Sequence, residues 1–534
     1  MFNKFFLISI LFSTLSLSCS LKILGIMPQY GKSHVRFTGS TLDILAKAGH
    51  NVTFLLAKMD PLMKTTETKY VQNIVSPDNV PELEKIVNKI ENKKTSFWTE
   101  EMGSVTSFFG FIEEFQKMFE LHCERLVFND TLTEEMRNEK YDLAIIEVFD
   151  YCAFGLVKAY NIPAHVSVLA SALPSGLYKH FGLTFPISQT PDMFTKYSDT
   201  EFGFFTRLGN LVGYYLGSLF SDNLYERENK VFDKKFGKGF VDIAQEVRDS
   251  SFLVVNSNPF VDYAHPTLSK IIEIGGFVIP EAKKLNKEWD EILSRKKHTI
   301  LISFGSVAQS SSMPIKMKKA YLEAFKRLPD IMFIWKYENM NDENVKESDN
   351  VHISKWVPQT ELLNDKRLSG FLTHGGQNSL QEAAFYGVPL LCVGLFADQH
   401  RNAKVAEKIG FGKVLVKEDT YDANNLVSAF KELIDEKSEY KKNAVRVSEM
   451  IKNRPGNITK TFIEHVEFAA KFKKLPHLNM EGHKLNIFQY ALVDIILFIL
   501  LILFTILGIV GFLSFKIIKT IYRKIIHKEK EKDE

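Results

Sequence analysis

Apolar residues along this chain fall into short runs that stop at glycine, proline, asparagine or an acid. In the first half such runs occupy residues 21–27, 51–56, 141–147, 164–169, 252–256 and 271–279. In the second half they occupy 298–304, 331–335, 351–353 and 368–373, and Val388-Pro389 opens another. Short runs of Ile, Leu, Val and Phe with weak polar alternation predict buried strands. Between them apolar positions recur every three or four residues, as in 42–48, 316–327, 402–409, 426–437 and 440–472, which predicts helices. Strand, helix and strand in succession give parallel sheets, because the helix carries the chain back before the next strand begins.

A chain of 534 residues is too long for one ordinary core. Residues 281–297 are charged and polar without a sustained apolar face, so the boundary is placed there. The expected architecture is α/β, with two doubly wound, Rossmann-like domains facing across a cleft, 21–280 and 298–475. Ligands of such sheets bind outside the carboxyl ends of the strands.

The two ends differ from the body. Residues 1–20 have Lys4, an apolar stretch and then small residues, the pattern of a secretory signal peptide. Residues 495–515 are uncharged and almost wholly apolar, and as a helix would span roughly 31 Å, a bilayer core. The tail 516–534 is basic, which places it in the cytosol and the body on the other side, a type I topology. Lys530 and Lys532 form a K-x-K-x-x pattern like a dilysine retrieval signal, so the endoplasmic reticulum membrane is expected. A lumenal body exposes three sequons, at Asn51, Asn129 and Asn457. Asn51 lies in a strand expected to be buried, whereas Asn129 and Asn457 suit surface sites.

Composition narrows the function by exclusion. Apolar and charged shares of 45% and 25% are those of a globular protein, and a net charge of +3 gives no reason to expect nucleic acid. Cys19 leaves with the leader, and Cys123, Cys152 and Cys392 are expected to be mostly buried thiols. No cysteine pair has metal-ligand spacing, and no Asp-x-Asp pair stands near the glycine loop described next, so neither metal nor cofactor is expected. Aromatic residues between 95 and 119, including Phe97, Trp98, Phe108, Phe109, Phe111 and Phe115, are read as core that can also wall an apolar pocket. Residues 202–220 form a second apolar stretch, for which ordinary packing is preferred over a helix lying on a membrane surface.

The chemistry concentrates in 356–399. There a strand ends in His374-Gly375-Gly376, a helix capped by Asn378 or Ser379 with Glu382 in its first turn follows, and Gly387 stops it. Glycines admit a ligand to the backbone, and free N–H groups of a helix N-terminus favour phosphate oxygens. Trp356 offers a flat face for a base, Glu382 offers acceptors for ribose hydroxyls, and Asp398 and Gln399 suit sugar hydroxyls. A nucleoside diphosphate sugar needs all of these together. In the other half, His34 follows the first strand, where a neutral imidazole can accept a proton. The strand at 141–147 ends in Glu147, with Asp150 close behind as an alternative carboxylate partner.

This array closely resembles the signature of the UDP-glycosyltransferase family, and within it the animal UDP-glucuronosyltransferases. The likeness extends over nearly the whole chain, with local departures: Asn364-Asp365 replace a usual His-Pro pair, Gly394 a usual proline, and Glu147 a usual aspartate. The resemblance implies a GT-B fold with a C-terminal transmembrane helix and final helices that cross back to brace the first domain. It makes His34 the catalytic base and Glu147 its partner. It assigns donor contacts to Ser306, Trp356, Gln359, His374, Gly376, Asn378, Ser379, Glu382, Asp398 and Gln399. The implied activity is inverting transfer of glucuronic acid from UDP-glucuronate, a co-substrate, to a hydroxyl of a small lipophilic acceptor. UDP-glucose is the alternative donor, and a membrane-anchored, non-catalytic UDP-sugar-binding or scaffold subunit is the alternative of another class. Homo- or hetero-oligomers stay open at this stage.

Overall fold

The computed structural model describes residues 20–92, 96–99, 105–181, 183, 185–193, 203–490 and 492–530. Residues 1–19 of the expected leader, Phe202 and the ending 531–534 lie outside the described residues. The described residues up to Asn479 pack as one compact unit and those from Met480 on as a second.

Two wholly parallel sheets form the first unit. Strands β1 (Lys22–Gln29), β2 (Asn51–Lys58), β3 (Asn73–Val75), β4 (Leu143–Glu147), β5 (His165–Leu169), β6 (Leu253–Val255) and β7 (Ile271–Glu273) make the first. Their order is 3-2-1-4-5-6-7, which reverses direction between β1 and β4. Strands β8 (His298–Ser303), β9 (Ile331–Lys336), β10 (Val351–Ser354), β11 (Leu368–Thr373), β12 (Leu390–Cys392) and β13 (Gly412–Val414) make the second, in order 10-9-8-11-12-13. Each sheet has apolar clusters on both faces, which explains why its strands lack polar alternation. The short strands β3 and β13 have no counterpart among the predicted runs, because three residues show no period.

The chain returns to the first sheet at its end. Helices Tyr440–Lys452 and Ile458–Phe472 divide what periodicity joined as 440–472. Phe462, Val466 and Ala469 of the second are fully buried in the cluster that holds Ile23 of β1 and Val166 of β5.

Three expectations change. Residues 281–297 contain a helix, Lys287–Leu293, whose Trp289, Ile292 and Leu293 are buried; seven residues are too few to display an apolar face beforehand. Cys123 and Cys152 form a disulfide rather than two thiols, while Cys392 remains a buried thiol. The sulfurs meet because the Val105–Val127 helix and the start of the Cys152–Ala159 helix pack together, a proximity no spacing announces. Asn51, expected in a buried strand, is exposed at the first position of β2. Asn129 and Asn457 each cap a helix through the carboxamide oxygen, leaving the nitrogen that a glycan would take as the other amide atom.

The helix Phe204–Phe236 carries the stretch at 202–220. Phe204, Phe205, Leu208, Val212, Tyr215 and Leu219 stand exposed along it, whereas Tyr214, Ser218 and Leu224 pack inward, so only part of this stretch follows the expected ordinary packing. In the second unit, helix Val493–Lys530 is long and apolar enough to cross a membrane and its apolar residues are exposed throughout.

Phe462→Ala removes a buried ring that ties the Ile458–Phe472 helix to the first sheet. It should cost about 3–5 kcal/mol of stability, read as a lowered denaturation midpoint of the full chain, while Phe472→Ala, at a half-exposed site, should change it little.

Candidate functional site

The first half of the site is built at the carboxyl ends of β1, β4 and β5. His34 lies in the first turn of helix Lys32–Lys47 rather than in the loop where it was expected, because the helix begins directly after Gly31. Its Nδ1 is 2.8 Å from Glu147 Oε1 at the end of β4. Glu147 has no exposed surface, and it also accepts from the Ala170 N–H at 3.1 Å and from Thr38 Oγ1 at 3.4 Å. Asp150, the alternative partner, is buried elsewhere, with His122 Nε2 3.8 Å away and Glu228 bonded to it. Burial pushes its carboxyl up to about 6. The His34 ring stacks on Phe149 at 4.2 Å, and Phe149 stacks in turn near Tyr30 and meets Phe115 and Phe119 edge-on. The aromatic residues of 95–119 thus divide. Phe115 joins the wall beside His34, whereas Trp98 inserts into the second domain's core and donates to the Gln309 carbonyl at 3.0 Å. Phe97 stacks on Phe396. The side chains of Phe108 and Phe109 lie outside the described residues.

The second half surrounds the carboxyl ends of β8, β11 and β12. The helix after β11 runs Gln377–Tyr386, with Gly376 as its N-cap residue and no side chain capping it. Asn378 and Ser379 are therefore second and third in the helix instead of caps, and Glu382 is beyond the first turn. The early start follows from Gly376 being extended, which lets Gln377 turn into the helix at once. The consequence is chemical: the first N–H groups are left to a ligand. His374 packs between two glycines. A Cβ on Gly305 would come 2.8 Å from its ring, and one on Gly376 2.6 Å, so both positions need glycine. Gly305 also has φ +78°, and Ser306 after it is exposed. Lys336, at the end of β9, donates its ammonium to the Gly305 carbonyl.

Trp356 is 67% exposed, so its face is free for stacking. Gln359 Nε2 donates to Glu382 Oε2 at 2.6 Å and reaches Ser379 Oγ at 3.4 Å, which gathers these three side chains. Ala397 takes φ +50°, a strained conformation immediately before Asp398. Gln399 spends its carboxamide oxygen on the N–H groups of Leu395 and Phe396, at 3.0 and 3.2 Å, and so shapes this loop. Burial pushes the Asp398 carboxyl up; a bond from Asn402 and the nearby His34 oppose that shift, so the two halves of the site bring His34 and Asp398 close enough to interact.

Several contributors carry no sequence signature. Asn256, after β6, donates through Nδ2 to the Ala170 carbonyl at 2.9 Å and to Asn378 Oδ1 at 3.1 Å. Its carbonyl accepts from Gln377 and Gln381 at 2.8 and 2.6 Å. Arg401 forms a buried ion pair with Asp262 at 2.6 Å. A pocket is lined on one side by Leu173, Tyr178, Phe185 and Met193 and on the other by Asp398 and Arg401. The bonds of Asn256 to Gln377, Asn378 and Gln381 and the Arg401–Asp262 pair each join the two domains, which no local spacing encodes. Among the described residues no three His, Cys, Asp or Glu side chains gather as metal ligands would.

Residues 22–532 match the family described as UDP-glucoronosyl and UDP-glucosyl transferase, and the chain belongs to that family. It is 28% identical over 496 residues to the putative UDP-glucuronosyltransferase ugt-47 of Caenorhabditis elegans, covering 89% of each chain. It is likewise 28% identical over 503 residues to UDP-glucosyltransferase 2 of Dactylopius coccus, covering 92% of each. Among solved structures it resembles Os79 from O. sativa, in complex with U2F and trichothecene, with a TM-score of 0.55, 17% identity and coverage of 85% of this chain and 100% of that one. The glycosyltransferase of kitacinnamycin gives a TM-score of 0.54 at the same identity, with coverage of 85% and 98%. These structures share the GT-B fold, and the protein is a UDP-sugar glycosyltransferase.

Burial, and then the charge of Lys336, holds the His374 imidazole down at about 4. The unfolded ring titrates near 6.5. Between these values the unfolded chain binds a proton that the folded chain refuses, so stability is lost as pH falls through that window. His374→Asn should lose less melting temperature between pH 7 and pH 5 than the wild type; parallel curves would mean that the folded imidazole titrates normally.

Proposed function

We propose that the protein transfers glucuronic acid from UDP-glucuronate, with inversion, to a hydroxyl of a small lipophilic acceptor. The observation that carries the chemistry is the His34 Nδ1 contact with the buried Glu147 carboxylate, on the side where Asp398 stands. A carboxylate there favours the tautomer with hydrogen on Nδ1, which leaves Nε2 with its lone pair for the acceptor hydroxyl. His34 takes the hydroxyl proton as that oxygen forms its bond to the anomeric carbon. The bond from that carbon to the UDP oxygen breaks on the opposite face, and its electron pair leaves with UDP. Glu147 steadies the imidazolium. The uncapped helix N-terminus after Gly376, with Ser306 and His374, receives the charge that grows on UDP. The transfer proceeds on these groups without a metal.

The exposed Trp356 and the Gln359–Glu382–Ser379 cluster support the donor assignments. Trp356 stacks the base, Glu382 with Gln359 takes the ribose, Asn378 and Ser379 meet the diphosphate, and Asp398 and Gln399 hold the sugar. The aromatic wall of Tyr30, Phe115 and Phe149 beside His34 suits an apolar acceptor. Similarity to a UDP-glucosyltransferase keeps UDP-glucose as the second donor to test. We place the protein in the endoplasmic reticulum membrane, anchored by residues 495–515 of the Val493–Lys530 helix, with the basic residues from Lys516 onward in the cytosol, Lys530 and Lys532 serving retrieval, and the body lumenal.

His34→Ala should abolish transfer while UDP still binds, measured by product mass analysis and by calorimetry on the same preparation. Undiminished turnover would remove the base assignment. Supplying each of the two donors in turn to a mixed acceptor panel identifies the sugar, and UDP-induced thermal stabilisation without any product would point to a binding subunit instead.

A further inference from the structure

Arg36 follows His34 by two residues on the Lys32–Lys47 helix, so it leaves that helix in a different direction from the base. Its side chain is 43% exposed and crosses to the second domain, where Nη2 stands 3.5 Å from Glu382 Oε1. Glu382 is buried, and burial pushes its carboxyl up while Arg36 and Gln359 oppose the shift. Its other oxygen belongs to Gln359. The guanidinium is therefore positioned at the carboxylate assigned to the ribose, although it comes from the domain assigned to the acceptor.

We propose that Arg36 is a donor-binding residue that recognises the diphosphate of the sugar nucleotide, an inference that rests on the UDP-sugar reading of this site. Glu382 follows Asn378 by four residues and Ser379 by three, and residues so spaced share one helix face about 5–6 Å apart. A group resting on Glu382 is thus one turn from the N–H groups left uncapped after Gly376. Ribose and guanidinium compete for one carboxylate. When ribose hydroxyls take Glu382, the half-exposed arginine has the diphosphate as its adjacent anion, and its planar fork fits two phosphate oxygens. Charge balance requires such a group, because a diphosphate brought beside the Glu382 carboxylate would otherwise be repelled. The neighbouring lysines are engaged elsewhere: Lys336 with the Gly305 carbonyl and Lys32 with Glu67 at 3.6 Å.

The test is calorimetric titration of the full chain in detergent with UDP and with uridine, for the wild type, Arg36→Ala and Arg36→Lys. Loss of one charge-assisted contact should weaken UDP by about tenfold or more in Arg36→Ala. Uridine, which lacks phosphate, should change by less than about threefold, and Arg36→Lys should recover part of the loss. In turnover, Arg36→Ala should raise the KM for the donor and also lower kcat, because the charge on the diphosphate grows as UDP leaves. Equal weakening of UDP and uridine would overturn the proposal in favour of a disturbed ribose site. Tightening of both would mean that Arg36 only obstructs Glu382, and an unchanged UDP affinity would exclude the contact. A wild type that binds neither compound would overturn the underlying site reading as well, which separates the two failures.

Discussion

A carboxylate without exposed surface must be surrounded by donors, and Glu147 is the one on which this site depends. Oε1 has the His34 ring and the Ala170 N–H, and Oε2 has the Thr38 hydroxyl. His34 and Thr38 belong to the helix after β1, and Ala170 directly follows β5. Those strands flank β4 on its two sides, so the sheet order 1-4-5 itself supplies the donors. The crossover that reverses strand order thus has a chemical result: it surrounds the end of β4 with groups that can hold a negative charge and orient an imidazole.

The same bonds continue into the second domain. The Ala170 carbonyl accepts from Asn256, and Asn256 also donates to Asn378 on the Gln377–Tyr386 helix. A hydrogen-bonded line therefore runs from His34 through Glu147, Ala170 and Asn256 to Asn378. Nearby, the buried Arg401–Asp262 pair joins the two halves. Buried charge pairs are costly to separate, so they fix the arrangement in which they form. These contacts, together with the return of the Ile458–Phe472 helix to the first sheet, hold His34 near Asp398.

The strands were legible because burial on both faces leaves an uninterrupted apolar run, as in β1, β4, β8 and β11. The motif residues from Trp356 to Gln399 were legible because one local unit of strand, loop and helix carries most of them. Capping was misjudged at the same place. Asn378 and Ser379 are good N-cap residues by propensity, yet Gly376 takes the position because its extended backbone starts the helix earlier. Arg36, Asn256 and the Arg401–Asp262 pair were illegible for another reason. Their partners lie far off in sequence on the other sheet, and neither periodicity nor local spacing encodes the juxtaposition of two sheets. The Cys123–Cys152 disulfide escaped similarly, since helix packing brings the sulfurs together.

The uncapped helix illustrates why the site's local preferences and its chemistry differ. A serine or aspartate at the Gly376 position would satisfy an early N–H group and stabilise the helix by about 1 kcal/mol. It would also occupy the groups that phosphate oxygens need, and its Cβ would strike the His374 ring. The helix is stabilised by other means. Leu380, Ala383 and Ala384 are fully buried against the second sheet, and Gln377 and Gln381 anchor to the Asn256 carbonyl of the first domain. Stability that a cap would have supplied locally is thus drawn from tertiary packing and from the opposite domain. The start of this helix is therefore tied, through Asn256, to the strand ends that carry Glu147 and its partner His34.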